Sequence, residues 1–410
     1  MVGFSDTIEN YVKLIMSRIK SINDNFEKIE NLLSKMVSKL EEMIKHLNNS
    51  KLNSVDVQSY LKLDNLLSSP HVDTDKKIKI CEEMLSYIKT NNTIDPEFLT
   101  FIHSLFIKTK FNWLAQGNIT PKKSIRIIEN IESSLSPSPK QITQNEIRKF
   151  RITSLSPDVH YTYTFESGDK ENENSCVLCY IDIGHKIEKD IKAQSLLRII
   201  EYIFDEDFFD DLRTSQQLGY NVSLERHRSH SLCGLVCYVQ SSKYHPDLIE
   251  EKINDFFVDF DINNNDNFND EDFDSYKNAV LNNLKEKDLT LCEEFERNFE
   301  LVVGRDYQFD KKERMIECIK NEITKKDVID FFNEKIYKKI KRIDIKCVGK
   351  NTKREIEKKK NEDKMEVDEN EEDEESELSA MPSMENIKEE TIEDIEAFHH
   401  NINHYDELYY

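Results

Sequence analysis

An arginine and a tyrosine seven residues apart are the side chains of this sequence best suited to polar chemistry on a bound substrate. They lie in Asp211–Val222, which reads Asp-Leu-Arg-Thr-Ser-Gln-Gln-Leu-Gly-Tyr-Asn-Val. A helical pattern runs into Arg213, Gly219 ends it, and a strand pattern begins at Tyr220. A guanidinium and a phenol at such a corner could together hold a carbonyl oxygen or an oxyanion. On these residues alone, an arginine that caps helix carbonyls and a tyrosine that begins a strand are the simpler interpretation.

The cysteines have spacings that also occur in zinc sites. Two residues separate Cys176 from Cys179, and three separate Cys233 from Cys237. Both pairs fall in predicted strands, where residues three apart point to opposite faces of a sheet, so Cys176 and Cys179 are poorly placed to share a metal. We predict that the cysteines are small apolar core residues. Eight cysteines in 410 residues do not make a disulfide scaffold, which favours reduced thiols.

The histidines form only incomplete metal motifs. His185-Lys-Ile-Glu-Lys begins like an H-x-x-E-H zinc motif but ends in lysine, so a second imidazole is missing. His399, His400 and His404 include an i, i+4 pair that could bind a metal, but a third good ligand is not evident. The sequence contains no P-loop, dinucleotide fingerprint or G-x-S-x-G elbow. It therefore predicts no catalytic residue and no metal ligand of its own.

The elements around Arg213 and Tyr220 are predicted to form an α+β domain over residues 145–350. An antiparallel sheet faced by helices follows from the order of its patterns. The turn of the central hairpin, residues 226–231, would hold His227 and His230 in solvent. Strand patterns occur at 159–166, 175–184, 220–225, 232–240 and 341–348, and helical patterns occur at 186–212, 246–257, 271–284, 291–303, 310–319 and from 324 onward.

The remaining parts of the chain differ from this domain in composition. Residues 1–133 carry helical periodicity and predict a mostly helical partial domain. Residues 134–144 are rich in serine and proline and read as a linker. Residues 351–386 are charged and lack aromatic side chains, which predicts a disordered acidic segment. Helical periodicity returns in residues 387–410, predicted as a closing helix and tail.

The charge of the chain argues against some classes of partner. The formal net charge is −23, and residues 362–377 alone hold eleven acidic side chains against one lysine. Such a chain is a poor nucleic-acid binder, because phosphate contacts need a basic surface. No signal-peptide pattern begins the sequence, and no apolar run is long enough to span a bilayer. We therefore expect no membrane partner and a cytoplasmic location.

The stretch from Leu212 to Val222 closely resembles the Leu-Arg-Thr-x-x-Gln-Leu-Gly-Tyr-x-Val signature of the insulin-degrading enzyme branch of the pitrilysin family. Leu235–Ser241 is similar to the second strand of that family's hairpin. Trp113–Thr120 resembles a strand–turn–helix near the end of its third domain, and Ile392–Tyr410 resembles its closing helix and tail. The resemblance covers most of the chain, from inside the third domain through the fourth.

The resemblance implies an inverted-zincin metalloendopeptidase, built of four related α+β domains in two halves that close around a peptide. In that family the zinc and its H-x-x-E-H helix belong to the first domain, and the C-terminal half contributes an arginine and a tyrosine. By this likeness Arg213 and Tyr220 bind substrate and stabilise the transition state. The 410 residues contain no H-x-x-E-H sequence.

Three hypotheses follow. The first is a zinc-free C-terminal half that binds peptide and completes an active site only with a zinc-bearing N-terminal half on another chain. Alone, such a C-terminal half would carry neither peptidase activity nor zinc. The partner expected for the chain is a zinc-bearing half or, alternatively, a further copy of itself in a homo-oligomer. The second is a non-catalytic peptide-binding or scaffold protein with an acidic interaction arm. The third is a remnant with no stable role.

Overall fold

The computed structural model describes residues 7–24, 30–104, 110–134, 140, 142–143, 146, 149–157, 159–260, 262–264, 268–337, 340–350 and 387–408. Its N-terminal part is built of α1 (Ile8–Asp24), α2 (Glu30–Ser50), α3 (Val55–Leu67), α4 (Thr74–Asn91), α5 (Pro96–Ser104) and α6 (Pro121–Ser134). Two small apolar clusters pack these helices against one another. Val12 of α1 packs with Ile127 and Ile131 of α6, and Leu33 of α2 packs with Ile88 of α4.

Helix α3 packs against the second part of the chain. Leu63, Leu66 and Leu67 are fully buried in a core that also contains residues beyond position 149. The strand after α3, β1 (Ser68–Ser69), joins β2 (Lys149–Thr153) and β9 (His404–Leu408) in a small antiparallel sheet of order β1-β2-β9. The predicted linker 134–144 lies mostly outside the described residues, and the predicted boundary at that point stays a prediction.

A larger sheet forms the centre of the molecule. Its described strands are β3 (Val159–Phe165), β4 (Ser175–His185), β5 (Asn221–Ser229), β6 (Leu232–Ser241), β7 (Arg342–Cys347) and β8 (Lys388–Ile392). They follow the order β5-β6-β4-β7-β3-β8. Strand β4 pairs antiparallel with β6 and β7, and β5 pairs antiparallel with β6, whereas β3 runs parallel to β7 and β8. The predicted α+β class is confirmed, with a sheet that is mixed rather than wholly antiparallel.

Helices cover the sheet on both faces. One face packs against α7 (Ile191–Phe209), α8 (Pro246–Asp259), α9 (Asp270–Lys285), α11 (Lys311–Asn321) and α12 (Lys325–Phe332). The other face packs against α3 and α13 (Ile395–Asn401). Helix α10 (Leu291–Val303) differs, because none of its residues is buried. Among the described residues, no helix has the length and apolarity needed to cross a membrane.

The cysteine prediction is supported by where the side chains lie. Cys176 belongs to the core under α3, whereas Cys179 belongs to the core under α7, so the two thiols are on opposite faces of the sheet. All eight cysteines lie among the described residues and none forms a disulfide, and seven of them are buried. The exception is Cys292, which is exposed on α10.

Two sequence predictions about local structure are wrong. The hairpin turn is confined to residues 230–231, because Ser229 pairs directly with Leu232 and His230 adopts a φ of 55° that closes a two-residue turn. His227 therefore lies inside β5, not in a solvated turn, and its Nε2 is 3.4 Å from Asp64 Oδ1. The closing segment contains a helix over Ile395–Asn401, and strands at residues 388–392 and 404–408 flank it, the first of which adds to β3 as an edge strand. The predicted acidic segment 351–386 lies outside the described residues.

Candidate functional site

The candidate site lies where α7 ends and β5 begins. The α-helix gives way to a π-helical turn over Asp210–Ser215, a form of helix that is rare and often occurs at functional sites. Leu212 within this turn is fully buried and Leu218 after it is 5% exposed. These two leucines fix the turn to the core, while Arg213 between them is only half-buried. The turn therefore directs a guanidinium towards the surface from an anchored backbone.

Two side-chain contacts brace the turn. Gln216 Nε2 donates to Asp211 Oδ2 at 2.9 Å, and Thr214 Oγ1 donates to Asp210 Oδ1 at 3.3 Å. The next residue, Gln217, adopts a left-handed backbone with a φ of 52°. This reversal takes the chain away from the helix axis and toward the edge of the sheet.

Gly219 lets the chain approach β6 more closely than another residue would. A Cβ at this position would lie 1.9 Å from the carbonyl oxygen of Gln240, well inside van der Waals contact. Because that neighbour is backbone, it cannot move aside as a side chain could. The strand that starts at Asn221 pairs with Gln240, so Gly219 sets how closely the first residues of β5 approach β6.

Arg213 and Tyr220 are in direct contact. Arg213 Nε donates to the backbone carbonyl of Tyr220 at 3.1 Å. The guanidinium carbon lies 5.4 Å from the centroid of the Tyr220 ring, within the range of a cation–π interaction. The Tyr220 side chain is nevertheless 85% exposed. The pair therefore forms a preorganised group of donors that faces out of the molecule.

The geometry leaves most of the donor capacity of this pair for another molecule. The described residues provide no acceptor for the two terminal nitrogens of Arg213, and the Tyr220 hydroxyl has no partner among them either. A guanidinium has five N–H donors in a fixed fork, and one of them is used here. Chemically, the pair can bind one oxygen that carries partial negative charge, such as a peptide carbonyl.

One cluster of described residues has the residue types of a metal site. Ligand atoms of His160, Glu250 and Asp344 all lie within 4.8 Å of one another. His160 Nε2 is 3.2 Å from Asp344 Oδ2 and 3.7 Å from Glu250 Oε1. The three come from β3, α8 and β7, which are distant in sequence, so no local motif could have predicted the cluster. The available signal was the alternation of charged residues along the buried strand β7.

This cluster does not fit a zinc ion, because cationic side chains already occupy its carboxylates. Arg342 Nε and a terminal nitrogen donate to the two oxygens of Asp344 at 2.7 and 2.5 Å. Lys346 Nζ donates to Glu250 Oε2 at 2.6 Å. A divalent ion would have to displace these bonds and share a buried site with a guanidinium, which Coulomb repulsion opposes.

The pKa values within the cluster reflect burial and this pairing. Burial, together with the neighbouring Asp344 carboxylate, raises the pKa of Glu250 to about 7. Burial acts against ionisation of Asp344 too, but the adjacent Arg342 and His160 hold the pKa of its carboxyl well below its usual range. The cluster is thus a buried ionic network between α8 and the sheet.

The other histidines and the remaining near-motif also have structural partners. His399 Nδ1 lies 3.2 Å from His404 Nε2, and its other ring nitrogen lies 2.7 Å from the carbonyl of Asn65. His185 stacks on Tyr405 with ring centroids 4.2 Å apart, and Glu188 is buried nearby in the chain. Among the described residues, neither set forms a group with the ligand spacing of a metal site.

The sequence of this chain is similar to parts of several longer peptidase-related proteins. Residues 199–299 match a family model described as PQQ synthase PqqF-like, C-terminal lobe domain 4. A nardilysin-like protein of Arabidopsis thaliana is 25% identical over 332 residues, which are 80% of this chain and 30% of that relative. The A-factor-processing enzyme of Saccharomyces cerevisiae is 23% identical over 339 residues, 82% of this chain and 30% of the enzyme.

Solved structures give the same architecture. Pitrilysin superposes with a TM-score of 0.61 at 14% identity, over 98% of this chain and 37% of pitrilysin. A peptidase M16 inactive domain from Pseudomonas fluorescens superposes with a TM-score of 0.51 at 13% identity, over 77% of this chain and 70% of that domain. The fold is therefore that of the pitrilysin-like α+β domains.

The sequence and structural matches agree on one class of protein. The chain is similar to a C-terminal part of the M16 peptidases, with nardilysin-like and insulin-degrading-enzyme-like relatives and a pitrilysin-like fold. It spans about a third or less of the length of the curated relatives quoted above. The family resemblance expected from the Leu212–Val222 stretch is confirmed.

Proposed function

We propose that the chain binds peptide and supplies Arg213 and Tyr220 to a metallopeptidase active site whose zinc is carried by an N-terminal half on another polypeptide. The observation that carries this proposal is the exposed donor pair itself. A π-helical turn anchored by the buried Leu212, and a glycine in close contact with Gln240, hold two donors at the surface. Such a preorganised arrangement is informative, because an arginine and a tyrosine with merely structural roles need not point outward together.

The chemistry follows from the geometry. The scissile carbonyl of a bound peptide would accept hydrogen bonds from the Arg213 fork and the Tyr220 hydroxyl. These bonds strengthen as negative charge develops on the oxygen, so they lower the barrier more than they tighten substrate binding. The loss of one such donor reduces turnover by about 10²–10³ in well-studied cases. The metal chemistry belongs to the partner in this proposal.

The test is complementation. The full chain is mixed with an M16 N-terminal half that contains H-x-x-E-H, and hydrolysis of a quenched fluorogenic peptide is measured. Activity is expected only in the mixture, and Arg213→Ala and Tyr220→Phe should each lower kcat at least tenfold with a smaller change in KM. Tyr11→Phe is the matched control, because this tyrosine is 54% exposed and lies on α1, outside the proposed site. Full activity in the Arg213 and Tyr220 variants would overturn the assigned roles.

A second candidate is a non-catalytic peptide-binding protein. Two observations favour it: the structural likeness to a domain described as a peptidase M16 inactive domain, and the acidic residues 362–377, which could serve as an interaction arm. Here the chain would bind labelled peptide as tightly with Tyr220→Phe as without it, and no zinc-bearing half would produce hydrolysis. For either function we propose a cytoplasmic location, which the free thiols of all eight cysteines support.

A further inference from the structure

A cavity lies at the end of the β5–β6 hairpin that is opposite to Tyr220. It is open, has a volume of about 530 Å³, and is formed where the hairpin turn meets the segment after α10 and the segment after β4. Tyr220 precedes the first residue of β5, whereas His230 and Ser231 at the turn line this cavity. The length of the strand separates it from the Arg213–Tyr220 pair, so it is a different site.

The backbone around this cavity is unusually strained. Among the described residues other than glycine, six have a positive φ. Four of the six line this cavity: Lys186 at 61°, His230 at 55°, Arg305 at 58° and Tyr307 at 55°. A positive φ is unfavourable for a residue with a side chain, and such residues concentrate where a ligand is clamped. Their concentration at one cavity indicates a site that is held in shape.

Hydrogen bonds from one arginine keep these segments together. Arg228 donates to the carbonyl of Gly304 at 2.8 Å and to the carbonyl of His230 at 3.1 Å. The backbone N–H of Lys186 donates to the carbonyl of Ser231 at 2.7 Å. The hairpin turn, the loop after α10 and the loop after β4 are therefore tied into one rim.

The charge of the lining is opposite to that of the chain. Four lysine or arginine side chains line the cavity, including Lys186, Lys189 and Arg305, against the two carboxyls of Glu188 and Asp406. Burial raises the pKa of Glu188, because a charged carboxylate is poorly solvated there. In a chain with a net charge of −23, this local excess of cations favours an anion.

The wall also contains apolar rings and buried polar atoms that lack partners. The Phe150 ring contacts the His230 ring with centroids 4.1 Å apart and planes tilted by 45°, and Tyr307 is 47% exposed at the rim. Ser231 is 7% exposed and Glu188 is 3% exposed, and within the described part of the chain neither Ser231 Oγ nor Glu188 Oε2 has a hydrogen-bond partner. Buried polar groups are normally hydrogen-bonded, so two such atoms at one wall indicate a polar ligand or solvent there.

We propose that this cavity binds a small organic anion, in which a carboxylate or phosphate head meets the Lys186, Lys189 and Arg305 side chains and a ring or chain lies against Phe150 and Tyr307. The volume is that of a small-molecule site rather than of a single ion. The rings would give the ligand's body an apolar surface, and the cations would fix the orientation of its head.

The experiment is a titration of the full chain with phenyl phosphate and with phenylacetate, followed by ligand-observed NMR and by calorimetry. Inorganic phosphate and benzyl alcohol test the head and the ring separately. The double variant Lys186→Glu with Lys189→Glu is compared with Lys285→Glu with Lys287→Glu, which has the same charge change at exposed positions outside the cavity. Circular dichroism verifies that all variants are folded.

Saturable binding of at least one aromatic anion is expected. Its dissociation constant should rise tenfold or more in the Lys186→Glu, Lys189→Glu variant and less than twofold in the Lys285→Glu, Lys287→Glu control. Tighter binding of phenyl phosphate identifies a phosphate ligand, and tighter binding of phenylacetate identifies a carboxylate. Absence of saturable binding at millimolar concentration, equal weakening in both double variants, or equal binding of benzyl alcohol would each overturn the proposal.

Discussion

Replacing Arg342 by methionine should strongly destabilise the fold, because this arginine neutralises a carboxylate that has no access to water. Arg342 and Asp344 are 1% and 0% exposed. The guanidinium donates two bonds to Asp344 and a third, at 2.6 Å, to Asn254 Oδ1 on α8. Methionine preserves much of the apolar volume of the side chain but removes every donor.

The size of the stability loss can be worked out from the hydrogen bonds that the buried Asp344 carboxylate would lose. Hydrogen bonds to charged groups contribute about 1.5–3 kcal/mol each, and two of them end on Asp344. Removing one partner of a buried ion pair typically costs about 3–5 kcal/mol, since the other charge stays buried. We therefore expect Arg342→Met to lower the free energy of unfolding by about 3–5 kcal/mol at pH 7.

Urea denaturation followed by circular dichroism measures this change. Arg297→Met is the matched control, because Arg297 also pairs with an aspartate, Asp288, but the two side chains are 35% and 25% exposed. A surface pair of this kind is worth about 0–1 kcal/mol. The double variant Arg342→Met with Asp344→Leu should recover much of the loss, because it removes both charges.

The effect of pH provides an independent check. In the unsubstituted chain the pKa of Asp344 is below its unfolded value, so its contribution to stability is present above that value and is lost as the pH falls. Without Arg342, burial raises that pKa instead, and Asp344 can be protonated within the folded protein. The difference between the two proteins should therefore shrink as the pH falls from 7 to 4. A loss below about 1 kcal/mol at pH 7, or one that does not change with pH, would refute the reasoning.

Two further predictions concern the candidate site and the metal. Gly219→Ala should lower the free energy of unfolding by about 1–3 kcal/mol, because its Cβ meets the backbone of Gln240. Gly304→Ala, whose Cβ would meet only the movable end of Arg228, should be milder in the same urea assay, and an equal loss would contradict the role of the close approach. Elemental analysis of the purified chain should find no stoichiometric zinc; one tightly bound ion, lost in His160→Gln, would contradict our interpretation of the ionic network.

Several features of the fold could be predicted because they depend on short-range patterns. The continuous apolar runs of β4 and β6 indicate strands that are buried on both faces, and the helical stripe of α7 indicates the face that this helix buries. Strand geometry alone places Cys176 and Cys179 on opposite faces of the sheet. The parallel pairing of β3 with β7 and β8 is set by long connections, and no local pattern encodes it. The sequence predicts a hairpin turn that begins too early. Two-residue turns need a left-handed backbone, which usually indicates glycine or asparagine, but here His230 adopts that conformation.

The candidate site was only partly accessible from the sequence. Arg213 and Tyr220 were found through a family signature, and the structure adds their contact and their exposure. The ionic network of His160, Glu250 and Asp344 could not be found, because three distant elements contribute one residue each. Long-range juxtaposition is a property of the packed sheet and helices, and a single sequence does not specify it at the level of side-chain contacts.

The distribution of cysteines makes the folded chain chemically a single-thiol protein. Seven thiols are buried, so a thiol-directed fluorophore added under native conditions would attach at Cys292 on α10. A hydrogen bond to Glu296 raises the pKa of the Cys292 thiol, so labelling should proceed faster under mildly alkaline conditions. Because α10 buries none of its own residues, a reporter at this position would respond to whatever approaches that helix without disturbing the core. The native chain thus provides its own attachment point for measuring association with a partner.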